Sequence, residues 1–221
     1  MKRDPMRKWQ KKEGNGKEGK RKEDFKKHEK KTLRPTERKT PAQGEYHLEK
    51  GLVHIYTGDG KGKSSTVTGL AIRAAGANLK IAFFQFFKKP FTSEIKILRK
   101  INNIHFYSLA SYYYESDYIT AEEIKKLKAD FAILWIKVLK IVAQNRYDVI
   151  IMDEILIALR DGFISEKHLL DFLKSRNGET EIILTGRHIT DGLKNSADII
   201  TEMRMIKHPF PDIRARKGID F

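Results

Sequence analysis

The residues best equipped for chemistry lie in one run, Thr57-Gly58-Asp59-Gly60-Lys61-Gly62-Lys63-Ser64. Three glycines let a backbone wrap closely round an anion with its N–H groups turned inward. A helix opening directly after them adds the positive end of its dipole. Lys63 can reach outer phosphates as a point charge. The hydroxyl of Ser64 can coordinate magnesium, a hard cation that prefers oxygen ligands. Ser65 follows in the same turn. The pattern is that of a phosphate loop, G-x-x-x-x-G-K-[ST], with Thr57 where the first glycine normally stands. Lys61 is an additional cation that either neutralises a third phosphate or faces water. The run Gly14-Asn15-Gly16-Lys17-Glu18-Gly19-Lys20 looks similar but has no apolar strand before it and no apolar helix after it, so it is discounted.

A second group of chemically capable residues closes the run Tyr147-Asp148-Val149-Ile150-Ile151-Met152-Asp153-Glu154. An apolar strand that ends in acids is the companion of a phosphate loop: Asp153 or Glu154 holds magnesium directly or through water. Acids at a helix start, where the dipole favours them, are the alternative explanation. Together the two runs specify a nucleotide–magnesium site but not a reaction, because kinases, ATPases and other transferases share this machinery.

The elements that must position these residues are legible from apolar patterning. Leu52–Tyr56, 81–86, 104–107, 149–152 and 182–184 read as short buried strands, and Ile199-Ile200 begins a sixth. Helices are expected over 65–77, 92–100 and from Thr120 onward, where Thr120-Ala121-Glu122-Glu123 forms a capping box. The long helix carries the apolar stripe Ile124, Leu127, Phe131, Leu134, Val138 and Ile141; Trp135 beside it reads as packing. Ser165 is expected to cap a helix reaching Ser175. Strands alternating with helices predict an α/β fold, a parallel sheet with helices on both faces, of the P-loop (RecA-like) type. Ligands of such sheets bind at the carboxyl ends of the strands.

Composition sets the outer bounds. The chain has 221 residues, a formal net charge of +15 and no cysteine, which excludes disulfides, thiolate zinc sites and cysteine nucleophiles. Residues 1–50 hold 18 lysines and arginines against 9 acids, so most of the excess charge lies there. Residues 1–47 read as a basic, flexible arm interrupted by Pro35 and Pro41, and residues 48–221 as the nucleotide-binding domain. No apolar run is long enough to span a membrane, the N-terminus does not read as a secretory signal, and a cytoplasmic location is expected. A basic arm can attract nucleic acid non-specifically. The aromatic platforms and ordered basic grooves of a nucleic-acid reader are not evident, so that partner is not expected.

Beyond the loop, the chain resembles the P-loop ATP:corrinoid adenosyltransferases over about residues 50–221. The loop is similar to their TG[ND]GKGK[TS], including the missing first glycine and the extra lysine. Leu70–Gly76 resembles their first helix, Gln85-Phe86-Phe87-Lys88 their Gln-Phe-x-Lys segment, and Asp153-Glu154 with Ala158, Leu159 and Gly162 their acidic stretch. Leu184-Thr185-Gly186-Arg187, then Ala197-Asp198, Thr201-Glu202-Met203-Arg204, Lys207-His208-Pro209-Phe210 and Lys217-Gly218-Ile219-Asp220-Phe221, follow in the family's order.

The resemblance implies binding of ATP, magnesium and a reduced corrinoid, with the Co(I) form supplied by a flavoprotein reductase, and a homodimer. Co(I) attacks C5′ of ATP and triphosphate leaves, in adenosylcobalamin synthesis or salvage. The nucleophile belongs to the corrinoid, so the protein's work is placement and charge stabilisation. Lys61 and Lys63 are then the catalytic cations for a departing triphosphate. Gly58, Asp59, Gly60, Lys61, Gly62, Lys63, Ser64, Ser65 and Arg187 hold ATP, and Ser64, Asp153 and Glu154 hold Mg2+. The aromatic loop that packs on the corrinoid in relatives corresponds here to Ser111-Tyr112-Tyr113-Tyr114-Glu115, placing Tyr112 and Tyr114 at its two aromatic positions. Two other readings remain open from the residues alone: a P-loop kinase or ATPase that cleaves between phosphates, and a nucleic-acid-binding ATPase that uses the arm.

Overall fold

The computed structural model describes residues 47–88, 92–109, 120–209 and 211–220. Six strands form one sheet: β1 (Val53–Thr57), β2 (Ile81–Gln85), β3 (Ile104–Ser108), β4 (Val149–Asp153), β5 (Glu181–Thr185) and β6 (Ile199–Glu202). Among the described residues, six helices accompany them: α1 (Lys63–Gly76), α2 (Ile95–Leu98), α3 (Ala121–Ala143), α4 (Ile155–Arg160), α5 (Glu166–Ser175) and α6 (Asp191–Ser196). The spatial order is β3-β2-β4-β5-β1-β6 and every pairing is parallel. The expected α/β architecture is therefore present. The strands bearing the two motifs, β1 and β4, are separated by β5, the order of the RecA-like arrangement.

The sheet divides two apolar layers by strand alternation. One face carries Phe84, Ile150, Met152, Ile182 and Leu184 against α3 and α5 residues such as Phe131, Val138, Leu169 and Phe172. The opposite face carries Ile81, Phe83, Val149, Ile151 and Ile183 against Val67 and Ala71 of α1 and Leu98 of α2. Both faces are covered, so β2 and β4 are buried at every position and read as apolar runs up to their last residues, Gln85 and Asp153. Each fully buried Val, Leu, Ile, Phe or Met side chain of these layers contributes about 1.5–3 kcal/mol. In β6, by contrast, every residue is exposed, because it is the edge strand beside β1.

Boundaries differ from expectation where backbone geometry intervenes. α1 opens two residues early because Gly62 adopts φ 117°, a left-handed turn that admits the chain directly into the helix. The helix expected over 92–100 is α-helical only across Ile95–Leu98. Its flanks tighten into three-residue spacing, with Ile95 N–H donating to Thr92 O and Lys100 N–H to Ile97 O. α4 and α6 were not anticipated. The caps were: Thr120 and Glu123 form both bonds of the capping box, and the Ser165 hydroxyl accepts from His168 N–H. Trp135 packs against Phe131 and Phe172. The arm expected over 1–47 lies, except for His47, outside the described residues. No helix among the described residues is long and apolar enough to cross a membrane.

Candidate functional site

The site forms where β1, β4 and β5 end on the same side of the sheet. β1 stops at Thr57, and the loop turns through Gly58 (φ 99°) and Gly62 (φ 117°) into α1. Lys63, at the first position of α1, is only 7 % exposed. Its ammonium donates to Gly58 O at 2.6 Å and Gly60 O at 2.8 Å, so the loop closes round it. Burial lowers the Lys63 pKa; the Glu154 carboxylate opposes that shift, and Arg187 adds to it.

Ser64 reaches across to β4: its hydroxyl donates to Asp153 Oδ1 at 3.1 Å. Asp153 is completely buried at the end of β4. The Thr185 hydroxyl, from β5, also donates to Asp153 Oδ1, at 2.6 Å, and itself accepts from Glu154 N–H at 2.8 Å. β5 thus bridges the two motif strands and fixes the acid. Glu154 holds a left-handed backbone (φ 66°) as it caps α4. Its Oε2 is buried without a hydrogen-bond partner among the described residues. Burial raises the Glu154 pKa and the neighbouring Asp153 raises it further, against Lys88, Lys63 and Arg187.

Two residues that carried no role in the sequence stand here. Lys88, after β2, donates to Asp153 Oδ2 at 2.7 Å and to the Ser64 hydroxyl, and lies 3.9 Å from Glu154 Oε1. Burial alone would lower its pKa, but Asp153 and Glu154 outweigh that and raise it. Gln85 ends β2 in register with Asp153, is 2 % exposed, and has an Oε1 without a partner among the described residues. No sequence spacing ties either residue to Asp153. The pairing of β2 with β4 does.

The remaining expected residues fall as follows. Arg187 is exposed, just past Gly186, and acts electrostatically on Lys63 and Glu154. Gly186 has φ 144°, and a Cβ there would lie 2.7 Å from that of Leu156, so the turn requires glycine. Ser65 is exposed on α1. Asp59 Oδ1 accepts from Met205 N–H at 3.3 Å. Lys61 forms an ion pair with Asp220. Tyr112 and Tyr114 lie outside the described residues.

Two of the loop glycines have a further structural reason that the sequence did not show: the tight neighbour of Gly58 and Gly60 is the segment after β6. A Cβ on Gly58 would meet Met203 O at 2.4 Å, and one on Gly60 would meet it at 2.6 Å. Gly60 N–H donates to Met203 O at 2.7 Å, and Met203 N–H to Thr57 O at 2.8 Å. The C-terminal segment is built onto the outside of the loop, and that amide is already used.

Magnesium fits the oxygen set. Among the described residues no three His, Cys, Asp or Glu side chains gather into a metal cage. Magnesium needs no such cage, because one or two carboxylates with substrate phosphates and waters suffice. A cation, the Lys88 ammonium, already sits between Ser64 and Asp153, and Glu154 Oε2 awaits a partner.

A phosphate loop facing a buried strand-end acid across one intervening strand defines a P-loop nucleotide-binding protein. Residues 49–221 match the family described as ATP:corrinoid adenosyltransferase BtuR/CobO/CobP, and the chain belongs to that family. Relatives named corrinoid adenosyltransferase agree. One from Sinorhizobium sp is 34 % identical over 179 residues, covering 78 % of this chain and 81 % of that protein. One from Pseudomonas aeruginosa is 31 % identical, covering 78 % and 85 %. Corrinoid adenosyltransferase CobA from Salmonella typhimurium is 26 % identical, covering 78 % and 87 %. The enzyme is thus an adenosyltransferase, and its work belongs to adenosylcobalamin synthesis.

Proposed function

We propose that the chain binds Mg-ATP in the loop 58–65 and delivers its C5′ to the Co(I) of a reduced corrinoid. The Co–C5′ bond forms as the C5′–O bond breaks, and the electron pair leaves with triphosphate. The observation that carries this reading is the 3.1 Å contact between Ser64 Oγ and Asp153 Oδ1, which joins both motifs into one site. Bound magnesium supplies positive charge to the polyphosphate. Ser64 and Asp153 hold it, with Glu154 beside them. Lys63 leaves the Gly58 and Gly60 carbonyls for phosphate oxygens, and Lys61 and Arg187 supply further positive charge. No protein nucleophile or base is required, since the attacking electron pair belongs to cobalt.

Tyr112 and Tyr114 are assigned to the corrinoid through the family resemblance, as are a homodimer and a flavoprotein reductase. A cytoplasmic setting suits a cysteine-free chain. Residues 1–47 are assigned, from their composition, to a basic arm preceding the nucleotide-binding domain of 48–221.

The test mixes protein, ATP, magnesium and chemically reduced cobalamin without oxygen. Light-sensitive adenosylcobalamin and intact triphosphate are expected, and Lys63→Ala abolishes both. ADP as the product would instead mark a kinase or ATPase. Activity surviving Lys63→Ala would overturn the phosphate-site assignment.

A further inference from the structure

The Lys88 ammonium stands in the middle of the oxygen set assigned to magnesium. It donates to Ser64 Oγ and, at 2.7 Å, to Asp153 Oδ2, and it lies 3.9 Å from Glu154 Oε1. Its side chain is 22 % exposed, whereas that of Asp153 is wholly buried. A buried carboxylate without a counter-charge is costly, and the ammonium 2.7 Å away is the counter-charge that Asp153 has here. A divalent cation needs the same oxygens and cannot share them with a positive neighbour a few ångströms away. One must leave when the other arrives. Lysine is built for leaving, being a compact charge on a flexible four-carbon stem with rotatable donors.

We propose that Lys88 is a resident counter-ion which the metal displaces, so that metal entry is suppressed until nucleotide arrives. The displaced ammonium finds its new partner in the polyphosphate at the adjoining loop. Each half of the exchange makes the other favourable: phosphate draws Lys88 off the acids, and the vacated acids accept the metal. Two ligands coupled in this way raise each other's affinity by the same factor. Lys88 is thus a positioning residue for metal and a further cation for the leaving group. This inference rests on the metal-site reading above.

The test is Mn2+ binding, with and without ATP, for the wild type and Lys88→Met, read as the loss of free-ion EPR signal beyond that of a protein-free control holding the same Mn2+ and ATP. The wild type is expected to bind Mn2+ weakly alone and strongly with ATP. Lys88→Met is expected to bind Mn2+ alone about tenfold tighter, within the usual range of site–site coupling, and to gain less from ATP. If the wild type binds no Mn2+ even with ATP, the metal site itself is wrong. If it binds Mn2+ with ATP but Lys88→Met is no tighter without it, the counter-ion role alone is overturned. Should the variant not fold, the wild type answers by acetylation of Lys88 read by mass spectrometry. Reactivity is expected to rise over the Mn2+ range in which EPR registers bound metal without ATP, and a flat profile there would overturn the exchange.

Discussion

Lys61 is the residue whose surroundings most change its reading. As an extra loop lysine it looks like a phosphate ligand, yet in the folded chain Asp220 holds it, and Arg216 donates to the same carboxylate. The pair is half-exposed on the lysine side, so its direct contribution to stability is small, under about 1 kcal/mol. Asp220→Ala is therefore expected to leave the melting temperature nearly unchanged and to preserve ATP affinity, because it frees the ammonium. Lys61→Ala is expected to weaken ATP binding. Calorimetric titration of both variants separates the two effects, and equal losses would assign Lys61 to holding the C-terminal segment alone. Gly60 is less tolerant. A methyl there would press on Met203 O at 2.6 Å and on Arg204 C at 2.8 Å, both backbone atoms that cannot rotate away. Gly60→Ala is expected to cost about 1–3 kcal/mol of stability, as overpacking does, and to lower ATP affinity as the loop shifts. Thermal denaturation and ATP titration of the same sample check both parts.

At the scale of elements, α3 depends on its start. The Thr120 hydroxyl accepts from Glu123 N–H, and the Glu123 carboxylate accepts from Thr120 N–H and from the Thr120 hydroxyl. Thr120→Ala is expected to destabilise the chain by about 1 kcal/mol, measured by denaturant titration. The same bonds, first the one from Thr120 N–H, hold the Glu123 pKa below its ordinary value. Its contribution is therefore complete above the unfolded value of about 4.3 and fades as pH falls through the lower folded one. Because Thr120→Ala keeps the backbone N–H, only the share from the Thr120 hydroxyl bond should be lost from the wild-type advantage over that window. The cap was legible in the sequence because it is written in four consecutive residues. So were β2 and β4, whose burial on both faces forces unbroken apolar runs. α4 and α6, at six residues each, are too short to display a period, and α4 follows from the left-handed turn at Glu154. The loop and the acids of the site were legible for the same local reason as the cap. Lys88 and Met203 were not, since their meaning arises from pairings, β2 with β4 and β6 with β1, that join residues far apart in the chain.

Across the whole molecule the charge is unevenly placed. Residues 1–50 carry 18 cationic against 9 acidic side chains, which accounts for more than half of the +15 total. The cations proposed for the site, Lys61, Lys63, Lys88 and Arg187, come from the domain itself. Charges separated by more than about 8 Å are largely screened at physiological salt, so charges of the arm could act on a bound triphosphate only at close range. Deleting residues 1–46 keeps His47, whose Nδ1 lies 2.8 Å from Asp148 Oδ1 at the opposite end of β4. That truncation is expected to leave the KM for Mg-ATP unchanged to within about twofold at about 0.15 M salt. Any loss should instead appear in the KM for the corrinoid. Any retention of the full chain on nucleic acid should be salt-labile and vanish with the arm, as expected of contacts made to phosphates alone. Steady-state kinetics with each substrate varied in turn decide the point: a rise confined to the corrinoid KM places the arm at that substrate, and a rise in the ATP KM would show that the arm reaches the phosphate loop.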